Sequence, residues 1–158
     1  MEFFTIGVYH SDEETFFKKL VDNGIDTFCD IRQRRGVRGS EYTFANSSRL
    51  QEKLNALGIK YVHILELAPT TEIRNLQNEA DKKRGGYKRD RHQLDPAFAL
   101  AYKEKVLKKF DFKGFLEGLE EKRANKMVLF CVEEKPETCH RSIVSDQLKE
   151  LGYQVTHL

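Results

Sequence analysis

No stretch of the chain approaches the ~20 apolar residues that a helix needs to cross a bilayer, which removes an integral membrane role. The start, Met1-Glu2-Phe3-Phe4-Thr5, lacks the basic and apolar regions of a secretory signal, so the cytoplasm is the expected compartment and no membrane partner is expected. Cysteine is scarce. Cys29, Cys131 and Cys139 are an odd set in a chain large enough not to depend on disulfides, and all three read as reduced thiols. A net charge of +2 is too small to announce nucleic-acid binding by long-range attraction. Repeats, low-complexity segments and linkers are also missing. With 39% apolar and 33% charged residues, the 158 positions read as a single α/β domain over 1–158.

What charge there is, is local. Arg32, Arg34, Arg35 and Arg38 crowd one short segment, and Lys82, Lys83, Arg84, Lys88, Arg89 and Arg91 crowd another. Short β-branched and aromatic runs predict strands at Phe3 to Val8, Thr27 to Ile31, Tyr61 to Leu65, Met127 to Val132 and Val155 to Leu158. Amphipathic segments separate them. Ser11 with Glu14 reads as a capping box opening a helix that buries Phe16, Phe17, Leu20 and Val21 and stops at Gly24. Leu50, Leu54 and Leu57 predict a second helix, closed by Gly58. Between Pro69 and Lys126 helical stripes recur without a strand, and Asp95-Pro96 opens one of these helices. The last helix places Ile143, Val144, Leu148 and Leu151 on one side and ends at Gly152. This grammar predicts a three-layer α/β/α fold: a mostly parallel sheet of about five strands, with a helical insertion between the third and fourth. The strand order is not encoded in any local pattern.

Ligands of open parallel sheets sit beyond the carboxyl ends of the strands. That rule brings the arginine-rich segment after the second strand to the same edge as Glu133 to Thr138 after the fourth. In Thr27-Phe28-Cys29-Asp30-Ile31-Arg32, alternation puts Asp30 and Arg32 on one face and Cys29 with Ile31 on the other. Asp30 in so apolar a run is either half of a structural ion pair or a general base, while Cys29 reads as core filler. Glu133-Glu134-Lys135-Pro136-Glu137-Thr138-Cys139-His140-Arg141 packs several catalytic residue types into one strand-to-helix turn. With Thr138 as N-cap, Cys139 would lie in the first helical turn, where free N–H groups favour a thiolate or a bound anion. The structural alternative makes His140 and Arg141 tethers of the loops and Cys139 a space filler.

At these residues the chain resembles the family called domain of unknown function 488. The resemblance rests on Thr5-Ile6-Gly7, Asp30-Ile31-Arg32, Phe44, Gly58-Ile59-Lys60-Tyr61-Val62-His63, and Glu133, Pro136 and Cys139-His140-Arg141. It is similar in particular to the branch with Arg32-Gln33-Arg34-Arg35-Gly36-Val37-Arg38-Gly39-Ser40 and Leu67-Ala68-Pro69-Thr70, Ala68 standing where many members have glycine. The resemblance implies a fold and a set of site residues, and no reaction.

The residues themselves favour an enzyme acting on a phosphate-bearing small molecule, a nucleotide, or nucleic acid. Cys139, His140, Asp30 and Glu133 are the candidate catalytic residues, and Arg32, Arg34, Arg35, Arg38, Arg141, Lys88, Arg89 and Arg91 the candidate anion-binding residues. Gly85 and Gly86 among the second group of cations suit a mobile lid over phosphate, against which stands a solvated surface loop. A noncatalytic nucleotide or nucleic-acid module would use the same cations. A rhodanese-like sulfurtransferase is the third reading, weakened because Cys131 is followed by two glutamates rather than by a compact anion cradle. Metal binding by Cys131, Glu133, Cys139 and His140 is set aside for want of paired-cysteine spacing, so neither a metal nor a cofactor is expected. His63 and His157, in apolar strands, read as satisfied core histidines.

Overall fold

A computed structural model describes residues 1–86 and 91–158. Its centre is a five-stranded, wholly parallel sheet of β1 (Glu2–Ile6), β2 (Thr27–Asp30), β3 (Lys60–His63), β4 (Lys126–Phe130) and β5 (Val155–His157), in the order β3-β2-β4-β1-β5. Parallel neighbours require crossovers, and helices supply them. On one face α1 (Glu13–Asp22) and α2 (Ser47–Ala56) bury Phe16, Phe17, Leu20, Leu50 and Leu54 against Phe4, Phe28, Val128 and Phe130. On the other, α3 (Thr71–Lys83), α4 (Pro96–Lys105), α5 (Phe112–Glu121) and α6 (Arg141–Glu150) cover Phe3, Cys29, Ile31, Met127 and Leu129. The layers are α/β/α, and the helical insertion between β3 and β4 comprises α3, α4 and α5. Among the described residues no helix is long and apolar enough to cross a membrane.

Strand alternation accounts for the two cores. Phe28 faces the α1 side while Cys29 and Ile31 face the α3 side, the split expected from a period of two. Helix ends follow local chemistry. Asp95 caps α4 by accepting from the Ala97 N–H at 2.9 Å, with Pro96 in the first turn. Gly58 closes α2 with φ 72°, a conformation a side chain would resist. Ala68 has φ −76° and ψ 141°, which any residue adopts, so the loop requires no glycine there.

Two caps differ from expectation. Asp12, not Ser11, caps α1, its Oδ1 accepting from the Thr15 N–H at 2.7 Å. A carboxylate is the stronger acceptor and its charge suits the positive end of the helix, so the start slides by one residue. Thr138 caps nothing: it ends a short 3-10 turn, Pro136–Thr138, and its hydroxyl donates to the Lys135 carbonyl at 2.8 Å. His140 occupies the N-cap position of α6 instead, leaving Cys139 in extended conformation before the helix.

Gly7 follows β1 and lies against the segment that leaves β4. A Cβ there would overlap the carbonyl of Glu133 and press on the Arg141 guanidinium. Gly7→Ala is therefore expected to destabilise the protein by about 1–3 kcal/mol through overpacking, read as a lowered urea midpoint with the m-value unchanged.

Candidate functional site

β2 and β4 are adjacent and parallel, so the loops leaving their carboxyl ends rise side by side. Between them and α3 lies a cavity of about 470 Å³. Arg32, Arg34, Arg38, Arg74 and Arg91 stand in its lining together with Cys131, Glu133, Cys139 and His140. The size is that of a small-ligand pocket. The expected convergence of the arginine-rich segment with the Cys-His turn is thus present.

The arginines are not equivalent, because their partners differ. Arg32 is 3% exposed and Asp30 0%. The guanidinium grips the carboxylate with two bonds, Nε to Oδ1 at 2.8 Å and Nη2 to Oδ2 at 2.7 Å, and its Nη1 donates to the Ala45 carbonyl at 3.0 Å. The Tyr61 hydroxyl gives Asp30 a further bond at 2.8 Å, and His63 Nε2 meets the Arg32 carbonyl at 2.9 Å. Asp30 does not line the cavity; it orients Arg32 beneath it. Arg141 is 1% exposed, and its two terminal nitrogens donate to the carbonyls of Glu133 and Glu134. Arg91 is neutralised by Asp81 at 2.6 Å and lies 3.4 Å from Glu133, also reaching the Thr138 carbonyl at 3.2 Å. Arg35 is exposed and stands outside the cavity lining.

Arg34 and Arg38 are exposed and, among the described residues, pair with no carboxylate. Arg74 joins them from α3, its Nη1 donating to Gln33 at 2.8 Å. Burial and then Arg34 disfavour its charge. Lys88 and Arg89, expected to bind anions, lie outside the described residues, as do Tyr87 and Asp90 of the same expected lid. Of the remaining cations there, Lys82 and Lys83 belong to the last turn of α3 and Arg84 lies 3.5 Å from Asp95.

The floor of the cavity holds the chemistry. The Cys131 thiol donates to Glu133 Oε2 at 3.2 Å, and His140 Nδ1 stands 3.8 Å from Cys131 Sγ and 3.7 Å from Cys139 Sγ. All four residues are buried. Cys131 is pulled down to about 5, chiefly because Cys139 hydrogen-bonds to it, with His140 helping against the effect of burial. Cys139 is pushed up, by burial first and then by Cys131. His140 is raised: burial opposes the cation, but Cys131 and Glu133 outweigh it. Cys139, expected to be the acidic thiol of a first helical turn, lies before the helix, where burial and Cys131 both disfavour its thiolate. Cys29, walled into the opposite core, is pushed up to about 12 by burial.

A family model, described as Domain of unknown function DUF488, matches residues 12–148. The chain belongs to that family. Neither a curated protein nor a solved structure matches it. In this DUF488 chain the matched span includes both the Asp30-Arg32 pair and the Cys131-to-Arg141 segment.

Sequence reasoning missed Cys131 and Arg74. Cys131 was discounted for the glutamates after it, yet Glu133 is the acceptor of its thiol hydrogen bond. Arg74, Gln77 and Asn78 recur at helical spacing on α3, a polar stripe that lines the cavity. The cradle required by a rhodanese-like reaction does not form here: the amides of Thr138 and Cys139 close the 3-10 turn on Lys135 and Pro136 carbonyls. His63 is half-buried and satisfied, while His157 is exposed on the edge strand and bonds to Thr5 at 2.7 Å.

Arg32→Ala leaves the buried Asp30 carboxylate with Tyr61 in place of its cation. A loss of about 3–5 kcal/mol in unfolding free energy is expected in chemical denaturation. An unchanged midpoint would mean that the pair does not hold the loop.

Proposed function

We propose that this DUF488 protein is an enzyme acting on a phosphate-bearing ligand, a nucleotide or a nucleic-acid segment. Arg34, Arg38 and Arg74 receive the anion, over a floor of Cys131, Cys139, His140 and Glu133 that carries the reaction. One observation supports this reading above the others: cations without carboxylate partners among the described residues, and thiol, imidazole and carboxylate groups, border one cavity of about 470 Å³. Guanidinium groups facing one another repel unless an anion lies between them, and a phosphate accepts their paired N–H groups. Below the anion, a nucleophile, a proton-transfer group and an acceptor lie within reach of one another, the arrangement that group-transfer and hydrolytic chemistry needs. Asp30 and Arg141 serve as positioning residues in this scheme, since both carboxylate oxygens of Asp30 and both terminal nitrogens of Arg141 are engaged within the fold.

The double variant Arg34→Gln/Arg38→Gln is expected to weaken a phosphate-bearing ligand at least about tenfold and to flatten the salt dependence of binding, with little change in melting temperature. Titration of a nucleotide panel and of oligonucleotides of increasing length, at two salt concentrations, measures this. Preference for one nucleotide, with turnover that Cys131→Ser abolishes while binding persists, is the expected outcome. Affinity that grows with length without any turnover favours a noncatalytic nucleic-acid module. Equal behaviour of parent and double variant overturns the assignment of the arginines.

A further inference from the structure

Cys131, Cys139 and His140 direct two sulfurs and one ring nitrogen to a common point, and these ligand atoms all lie within 4.8 Å of one another. The nitrogen-to-sulfur separations are 3.8 Å and 3.7 Å. A tetrahedral ion about 2.0–2.1 Å from nitrogen and about 2.3 Å from sulfur spaces such ligands roughly 3.6–3.8 Å apart. Both nitrogen-to-sulfur separations are close to that spacing, and the two sulfurs lie within 4.8 Å of each other.

A second observation concerns the far side of the ring. His140 Nε2 lies 3.0 Å from the Ile31 carbonyl oxygen, which can only accept. Nε2 therefore carries a hydrogen, and in the neutral ring Nδ1 turns a lone pair toward both sulfurs. Ligating histidines are held in this way, by a backbone carbonyl or carboxylate on the nitrogen that does not bind the ion. The ring is also packed: Tyr102, itself fixed by a 2.6 Å bond to the Leu67 carbonyl, lies 5.4 Å from it between centroids. Adjacent residues converge because Cys139 is extended (φ −138°, ψ 146°) and His140 helical (φ −57°, ψ −19°). Close cysteine pairs in sequence are not needed when a strand end and the next turn supply one sulfur each.

We propose that Cys131, Cys139 and His140 bind one divalent transition-metal ion of the zinc class, with the fourth position open to the arginine-lined cavity. Two thiolates and an imidazole select a borderline or soft ion over magnesium or calcium. Binding displaces the thiol protons. Glu133, within 3.2 Å of the Cys131 sulfur and 3.4 Å from Arg91, stands beside the site. The inference deepens the reading above, since with the ion bound the two sulfurs and the imidazole act as its ligands rather than as nucleophile and proton carrier, and it is independent of which ligand the arginines receive.

The test uses the full chain, reduced, stripped with a chelator, dialysed and titrated anaerobically with Co²⁺ alone. Uptake of one equivalent is expected, with a sulfur-to-cobalt charge-transfer band, strong visible bands of tetrahedral cobalt, and loss of both on adding Zn²⁺. Cys131→Ser and Cys139→Ser should each diminish the charge-transfer band and weaken Co²⁺ at least about tenfold, whereas Cys29→Ser should change neither. Arg34→Gln/Arg38→Gln should keep the full spectrum, so failure of ion binding and failure of anion binding are read separately. Absence of uptake by the reduced parent chain, or uptake without a charge-transfer band, overturns the proposal whether or not the serine variants fold. So does an unchanged spectrum in a folded Cys131→Ser or Cys139→Ser variant.

Discussion

Everything after β4 hangs on the Arg141 guanidinium. The residue is the first of α6, yet its side chain runs back beneath the preceding loop and binds the carbonyls of Glu133 and Glu134. The Glu133 carbonyl is removed from water and that of Glu134 partly so, and without the arginine this desolvation would go uncompensated. The grip ties the orientation of a helix to the shape of the loop that precedes it. Cys131 and Glu133 enter the loop, Cys139 and His140 leave it, and all four are positioned by one cation. The close pass of Gly7 completes the clamp from the neighbouring strand.

The arginines illustrate how little a cluster of like charges says until its partners are known. In the sequence Arg32, Arg34, Arg35 and Arg38 are one basic run. In the fold Arg32 is sealed against Asp30 with the Phe130 ring 4.4 Å from its centre, Arg35 is exposed outside the cavity lining, and Arg34 and Arg38 border the cavity. Arg91 crosses the same cavity with Asp81 as its main partner. Structural and available cations are therefore interleaved within a few residues, which a count of charges conceals.

Much of the fold could be read from the chain because its signals are local. Alternation in Phe28-Cys29-Asp30-Ile31 and helical spacing in Phe16, Phe17 and Leu20 each report a face, and the faces found their cores, whereas Val21, expected to be buried with the last three, lies at the edge of that stripe and is exposed. The caps shifted where two acceptors competed within one residue of each other, as at Ser11 and Asp12. The order of strands depends on contacts between residues far apart in sequence and leaves no local trace. The same limit hid part of the site. Cys139-His140-Arg141 announced itself by proximity in sequence, but the acidity of Cys131 and the lone pair of His140 are set by Cys139 and by the Ile31 carbonyl, a neighbour that only the β2-β4 pairing brings near.

The position of β4 also shapes how the chain can fold. It lies between β1 and β2, so two strands made early have no direct hydrogen bonds to each other until a segment about one hundred residues later slots between them. A growing polypeptide can assemble α1, α2 and the β2-β3 pair, but the central gap stays open through the synthesis of the whole helical insertion. Long-range closure of that kind slows folding and couples the two halves into one cooperative step. The last strand to enter the middle carries Cys131 at its end, so the floor of the cavity is assembled only when the sheet itself is complete.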